Sequence, residues 1–192
     1  MMRKLQSTFL KLLLSCWNSS RRRFITKSSD MPTKDSRAEK TIADARVETI
    51  INFYELGDGL VSSGQPSPEE FAAIRDAGYQ VIINLVPVDA QMALANEKEI
   101  VENLGMQHLH IPVIWDSPQL SDIEKFFDAM QKNRDKKIFV HCEVNYRASS
   151  FLYLYRRKFL GVDEKQARQD LQWIWAPNAT WKRFMDDVSK TG

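Results

Sequence analysis

The stretch that most constrains this chain is Lys137-Ile138-Phe139-Val140-His141-Cys142-Glu143-Val144-Asn145-Tyr146-Arg147-Ala148-Ser149. Ile138 to Val140 is a short apolar run suited to a buried strand. Ser149 to Phe159 carries apolar side chains three and four apart, as an amphipathic helix does. Cys142 is thereby expected where a strand becomes a helix. There, loop N–H groups and the positive end of the helix dipole can converge on one anion, and the same field favours a thiolate. A free thiol titrates at about 8.5, and beside a helix N-terminus and an arginine it can fall to roughly 3.5–7.5, which makes a nucleophile at neutral pH. Arg147 offers a planar fork for two oxygens of a bound oxyanion. The bland alternative for Cys142 is a small buried hydrophobe. His141, next along the strand, is expected on the opposite face, as a structural neighbour rather than the base.

Strand and helix signals alternate through the rest of the core. Ile51 to Leu56 and Leu60 to Ser63 flank Gly57-Asp58-Gly59 as a hairpin, and Gly64-Gln65-Pro66 ends the second strand. Ser67-Pro68-Glu69-Glu70 is a capping box opening a helix that Gly78 closes. Val81 to Val86 reads as a strand, Met92 to Leu104 as a helix and His108 to Val113 as a strand; Ser121-Asp122-Ile123-Glu124 reads as a second capping box, with a helix through Met130. Beyond the cysteine helix, Val162 to Trp175 and Asn178 to Ser189 suggest two more helices separated by Ala176-Pro177. The expected fold is α/β, a three-layer sandwich around a mainly parallel sheet, with ligands beyond the carboxyl ends of the strands.

Residues 1–29 hold seven Lys or Arg and no acid, so residues 30–192 sum to −5. A mildly acidic core argues against a nucleic-acid surface. Residues 1–30 form a basic leader with the composition of a mitochondrial presequence, or else precede a true start at Met31, which would leave a short cytoplasmic protein. A secretory signal ranks below both, and the apolar run in the leader is too short for stable membrane insertion. Residues 31–49 read as polar linker and 50–190 as one domain. With Cys142 the only core cysteine, no disulfide framework is expected.

Around the cysteine the chain resembles the cysteine-dependent tyrosine and dual-specificity phosphatases, whose signature is His-Cys, five residues, Arg, then Ser or Thr. Only Glu143, Val144, Asn145 and Tyr146 separate Cys142 from Arg147, one residue fewer. Either the loop has lost a residue and Arg147 remains the phosphate arginine, or nothing is lost, Ser149 keeps its place and Ala148 stands where arginine belongs. Asn145 falls on the family's loop glycine in the ungapped alignment, and asparagine tolerates positive φ. Ser63-Gly64-Gln65-Pro66-Ser67, Ala77-Gly78-Tyr79 to Asn84-Leu85, Ile111-Pro112-Val113 and Trp175-Ala176-Pro177-Asn178 narrow the likeness. They resemble the phosphatase-like domains related to beta-lactamase-hydrolase-like proteins, over about residues 50–188. This resemblance implies Cys142 as nucleophile, Arg147 with the loop from Glu143 through Val144 and Asn145 to Tyr146 as phosphate cradle, and Asp116 as general acid with Asp122 in reserve. It also implies Ser149 as a hydrogen-bond donor to sulfur, unless it merely caps the helix. The expected partner is a phosphorylated protein or small molecule, with no metal or cofactor in the reaction.

Other readings stay open. A rhodanese-like sulfurtransferase fits the shorter loop. A phosphoryl-binding module without catalysis fits Ala148 and the charge of Glu143, which opposes both thiolate and phosphate. His108 and His110 share one face of a strand, a weak metal pattern. Trp173, Trp175 and Trp181 read as packing aromatics.

Overall fold

The computed structural model describes residues 46–57 and 59–190. The basic leader and most of the linker lie outside the described residues. The core starts before the expected boundary at 50. Val47, in a short 3-10 turn Val47–Thr49, is buried with Ile50 against Phe71 and Phe139.

Five strands, β1 (Tyr54–Glu55), β2 (Leu60–Ser63), β3 (Val81–Asn84), β4 (Gln107–His110) and β5 (Ile138–His141), form one sheet in the order β1-β2-β5-β3-β4. Only β1 runs antiparallel, as the first arm of the hairpin; the other neighbours are parallel. All residues of β2, β3 and β5 are buried, as expected of strands covered on both faces. The two-residue repeat then sorts side chains between two cores. Val81, Ile83, Ile138 and Val140 pack on one side, and Ile82 and Phe139 on the other.

Six helices complete the layers: α1 (Glu70–Asp76), α2 (Glu97–Asn103), α3 (Leu120–Lys132), α4 (Tyr146–Phe159), α5 (Glu164–Ile174) and α6 (Ala179–Lys190). The first core joins the sheet to α3, α4, α5 and α6 through Phe126, Phe151, Leu171 and Trp181. The second joins it to α1 and α2 through Phe71, Ile74 and Val101. The α/β three-layer sandwich expected from the sequence is the fold observed. No helix among the described residues is long and apolar enough to cross a membrane.

Three strands are shorter than the sequence suggests: β1 keeps only Tyr54–Glu55 of Ile51 to Leu56, β3 ends at Asn84 rather than Val86, and β4 runs Gln107–His110 rather than to Val113. Three helix starts also differ, each for a local reason. The helix expected from Met92 begins only at Glu97, because the segment before it crosses from one core to the other: Ala93 packs on the first and Leu94 on the second. The capping box of α3 is Gln119 with Asp122, not Ser121 with Glu124. The Gln119 N–H donates to Asp122 Oδ2 at 3.2 Å, so Asp122 serves the helix start. The box at Ser67 holds as read: the Ser67 N–H reaches Glu70 Oε2 at 2.7 Å and the Glu70 N–H reaches Ser67 Oγ at 3.3 Å. Finally, α4 starts at Tyr146 rather than Ser149, since Asn145 turns the chain into the helix at φ 71°. Trp173, read as a packing residue, is 71% exposed on α5.

Candidate active site

Cys142 follows the last residue of the central strand β5 and is fully buried, in the core opposite to that of Phe139. Its N–H donates to Ser63 O at 3.2 Å, which fixes where the side chain leaves the sheet. The loop that follows is stapled outward by its carbonyls. Glu143 O accepts from the Gln65 N–H at 3.0 Å, and Val144 O from Asn52 Nδ2 at 3.0 Å. Asn145 O takes both the N–H of Ser149 at 3.0 Å and its hydroxyl at 2.7 Å. The N–H groups of Glu143, Val144 and Tyr146 donate to no acceptor among the described residues. A loop with carbonyls engaged and N–H groups left unspent, at the N-terminus of the 14-residue α4, has the donors an anion site needs.

Asn145 is what makes so short a loop possible. It takes the left-handed conformation, and its Nδ2 donates to Asn52 O at 2.6 Å and Ser62 Oγ at 3.0 Å, locking the turn against β2. Gly64 is the other requirement. A Cβ there would stand 2.7 Å from Glu143 O and 3.0 Å from Ile51 Cβ, so only glycine lets the two segments meet.

The two alignments left open by the sequence lead to different places in the fold. Ala148 is fully buried in the core with Phe151 and Cys142, where no guanidinium could be held. Arg147, one residue earlier, turns back to the loop: Nη1 bonds Glu143 Oε2 at 3.1 Å, and the guanidinium lies 5.5 Å over the Trp115 ring. Its Nε is buried and has no hydrogen-bond partner among the described residues. Arg147 therefore keeps Nε unspent, while Glu143 occupies part of its fork. Of the expected cradle, Glu143, Val144 and Tyr146 offer free N–H groups, and Asn145 supplies the turn.

Ser149 Oγ is turned to the carbonyls of Asn145 at 2.7 Å and Tyr146 at 3.2 Å, the helix-bonding alternative to a bond with sulfur. Asp116 lies exposed on the loop after β4 and makes no hydrogen bond or ion pair among the described residues. Its neighbour Trp115 is fixed against the site. Trp115 O accepts from Trp181 Nε1 at 3.0 Å, and its ring meets Tyr146, Trp175 and Trp181 with centroids 6.1, 5.3 and 5.3 Å away. Tyr146 in turn stacks on Trp175 at 4.7 Å, nearly parallel at 8°. This aromatic wall beside Arg147 escaped the sequence reading, because tryptophans from distant loops give no local pattern.

Behind β5 lies a second group that the sequence did not announce. His141 faces away from Cys142 and bonds the buried Glu97, as do His108, Asn84 and Gln65. Burial alone would push the Glu97 carboxyl up. The charge of His141 and the bonds from His108, His141 and Gln65 outweigh it, holding Glu97 far below the usual carboxylate range. Stability linked to a depressed carboxyl is present above its unfolded value of 4.5 and lost as pH falls toward the folded one. The native protein is thus expected to lose melting temperature more steeply than Glu97→Gln as pH falls from about 5 to about 3, as thermal scans would record. His110 bonds Val86 O, so the two strand histidines have separate partners. Among the described residues no group of three or more His, Cys, Asp or Glu is arranged to hold a metal ion.

A cysteine at the carboxyl end of the central parallel strand, a loop with unspent N–H groups and an arginine in the first turn of the next helix define a cysteine-phosphatase-type domain. Residues 58–183 match the family described as DSP-PTPase phosphatase fused to NAD+ kinase, and the chain belongs to that family. It is similar to a DUF442 protein of Shewanella putrefaciens CN-32. The two crystal-structure superpositions with that protein include one at 34% identity and TM-score 0.69, covering 76% of this chain and 95% of that one. It is also 29% identical over 125 residues to a beta-lactamase hydrolase-like protein of Xylella fastidiosa, which covers 64% of this chain. The matched part spans only 28% of that relative's length. The fold is shared with Pseudomonas aeruginosa TpbA, at TM-score 0.57 and 17% identity over 74% of this chain and 85% of that one. The domain is phosphatase-like in fold and family.

Proposed function

We propose that this domain hydrolyses phosphate monoesters through a phosphocysteine on Cys142. The observation that carries the reading is the loop itself, whose carbonyls are all engaged outward while three N–H groups and Arg147 Nε stay unspent around the cysteine. In the first step the Cys142 thiolate attacks phosphorus and the ester P–O bond breaks. Asp116 gives its proton to the departing oxygen, so an alcohol or phenol leaves and an S–P bond has formed. In the second step Asp116, now a carboxylate, takes a proton from water. The water oxygen attacks phosphorus, the S–P bond breaks, and orthophosphate leaves with the thiolate restored. Loop N–H groups and Arg147 hold the equatorial oxygens throughout. Ser149, freed from Asn145 O, would donate to the departing sulfur.

The wall next to Arg147 supports an aryl phosphate as the substrate class. The rings of Trp115, Tyr146 and Trp175 are each half-buried and line the arginine side, which suits an aryl phosphate. Phosphotyrosine is the ligand of one TpbA structure, and this supports the same class here. Hydrolysis of a series of aryl phosphates tests the whole reading. Asp116→Asn is expected to slow the release of poor leaving groups by about 10²–10⁴-fold and good ones far less. Equal slowing across the series would remove Asp116 from the acid role, and no hydrolysis by the native protein would remove the reaction.

Glu143 sets the affinity of this site. Its carboxylate already sits on Arg147, so an incoming phosphate must displace a like charge. Glu143→Gln is expected to tighten inorganic phosphate binding about five-fold, the equivalent of roughly 1 kcal/mol for a partly exposed ion pair. Titration calorimetry reads it directly.

A further inference from the structure

The nucleophile's strand is gripped from behind by one carboxylate. Glu97, the first residue of α2, is 2% exposed. Its Oε1 accepts from His141 Nε2 at 2.9 Å, His108 Nε2 at 3.0 Å and Asn84 Nδ2 at 2.8 Å; Oε2 accepts from Gln65 Nε2 at 2.8 Å. The donors come from the ends of β5 and β3, the segment after β2 and the second residue of β4, so one side chain ties four parallel strands together. Folding alone gives little reason for this arrangement. A buried charge is costly unless every donor is in place, and apolar side chains of similar volume in place of the whole group, Glu97 and its four donors together, would serve stability as well or better.

The contacts also close around Cys142. His141, held through its side chain, is the residue before the nucleophile. Gln65, held through its side chain, gives its backbone N–H to the carbonyl of Glu143, the residue after it. Glu97 is the one side-chain hydrogen-bond partner of His141 among the described residues, since its Nδ1 is buried without one; the ring otherwise packs edge-on to Phe71 at 6.3 Å. A carboxylate can only accept, so Glu97 obliges His141 to carry its proton on Nε2.

We infer that Glu97 is a positioning residue for the Cys142 reaction, a two-armed clamp that holds the residues on either side of the nucleophile through His141 and Gln65. This rests on the phosphocysteine reading for its effect on turnover, though not for the clamp itself. The clamp sets the pose of the thiol and of the loop N–H groups without touching substrate. A displacement of about 1 Å in such a pose costs on the order of 100-fold in rate.

The test is Glu97→Gln, which keeps the volume but turns an NH₂ group toward donors. Its kcat on an aryl phosphate is expected to fall about 10–100-fold with KM within roughly three-fold, at a temperature where circular dichroism shows it folded. Glu97→Asp, which keeps the acceptor on a shorter arm, is expected to recover part of that loss. Nitrogen-15 spectra of the native protein are expected to show His141 protonated on Nε2, and the resonance to shift in the variant. If Glu97→Gln does not fold, Gln65→Met loosens one arm while Glu97 keeps three donors, and the same loss in kcat is expected in milder form, about three- to ten-fold. A folded Glu97→Gln with native kcat, or a native His141 protonated on Nδ1 instead, overturns the clamp. Should the native protein hydrolyse no phosphate ester, the phosphatase reading fails by itself. The alkylation rate of Cys142 then takes the place of kcat, and a rate unchanged by Glu97→Gln overturns the clamp.

Discussion

Replacing Cys142 with serine is expected to abolish aryl-phosphate hydrolysis, a fall of at least about 10⁴-fold, while inorganic phosphate still binds. The two effects separate because different atoms produce them. Turnover needs a nucleophile that is anionic near neutral pH, and a serine hydroxyl without an adjacent base is not one. Here the one histidine beside it, His141, faces the other side of the sheet and is committed to Glu97. Binding needs the N–H groups of Glu143, Val144 and Tyr146 and the fork of Arg147, none of which the substitution touches. Phosphate binding by calorimetry beside a phosphate-release assay reads both. Loss of binding together with turnover would mean that the thiolate, not the loop, holds the site open.

Gly64→Ala is expected to be the most damaging change outside the loop. The added methyl group would meet Glu143 O at 2.7 Å and the Ile51 side chain at 3.0 Å. The first of these is backbone already fixed by the Gln65 N–H, and the Gly64 N–H is itself bonded to Ile51 O at 2.6 Å, so neither side has room to yield. Over-packing of this kind costs about 1–3 kcal/mol of stability. Its effect on the site is larger, because the atom pushed is the carbonyl whose outward orientation leaves the Glu143–Val144 peptide N–H facing in. Turnover is expected to fall on the order of 100-fold or more in protein that remains folded. Melting temperature and kcat/KM for the variant measure the two losses, and native turnover would show that the loop does not depend on this contact.

The part of this architecture that lay open in the sequence is the part written in local patterns. Ile138 to Val140, the Ser67 capping box and the periodicity of the cysteine helix each specify their own element, and together they led to the sheet and its layers. Boundaries failed where tertiary contacts outweigh propensity. Met92 to Ala95 are helix formers that instead carry the chain from one core to the other, and Tyr146 joins the helix because Asn145 has already made the turn. Cys142 and Arg147 were legible because loop, cysteine and arginine are contiguous. Which alignment the loop follows was not, since only burial shows that Ala148 faces the core and Arg147 the loop. Glu97, Gln65, Trp115 and Trp175 were out of reach for the same reason: each comes from a different loop or helix end, and Glu97 fell inside the helix expected from Met92, where an acid has no distinguishing pattern.

The central claim is that the loop and Arg147 form an oxyanion site around a reactive thiolate. The most direct measurement is the rate of Cys142 alkylation against pH, with and without vanadate, in the native protein and in Arg147→Ala. The account expects Cys142 to react well below the pH of a free thiol, vanadate to protect it, and protection to weaken at least about ten-fold in Arg147→Ala. A Cys142 that titrates as free cysteine and reacts at the same rate with vanadate present would contradict it and leave a buried structural thiol at the end of β5.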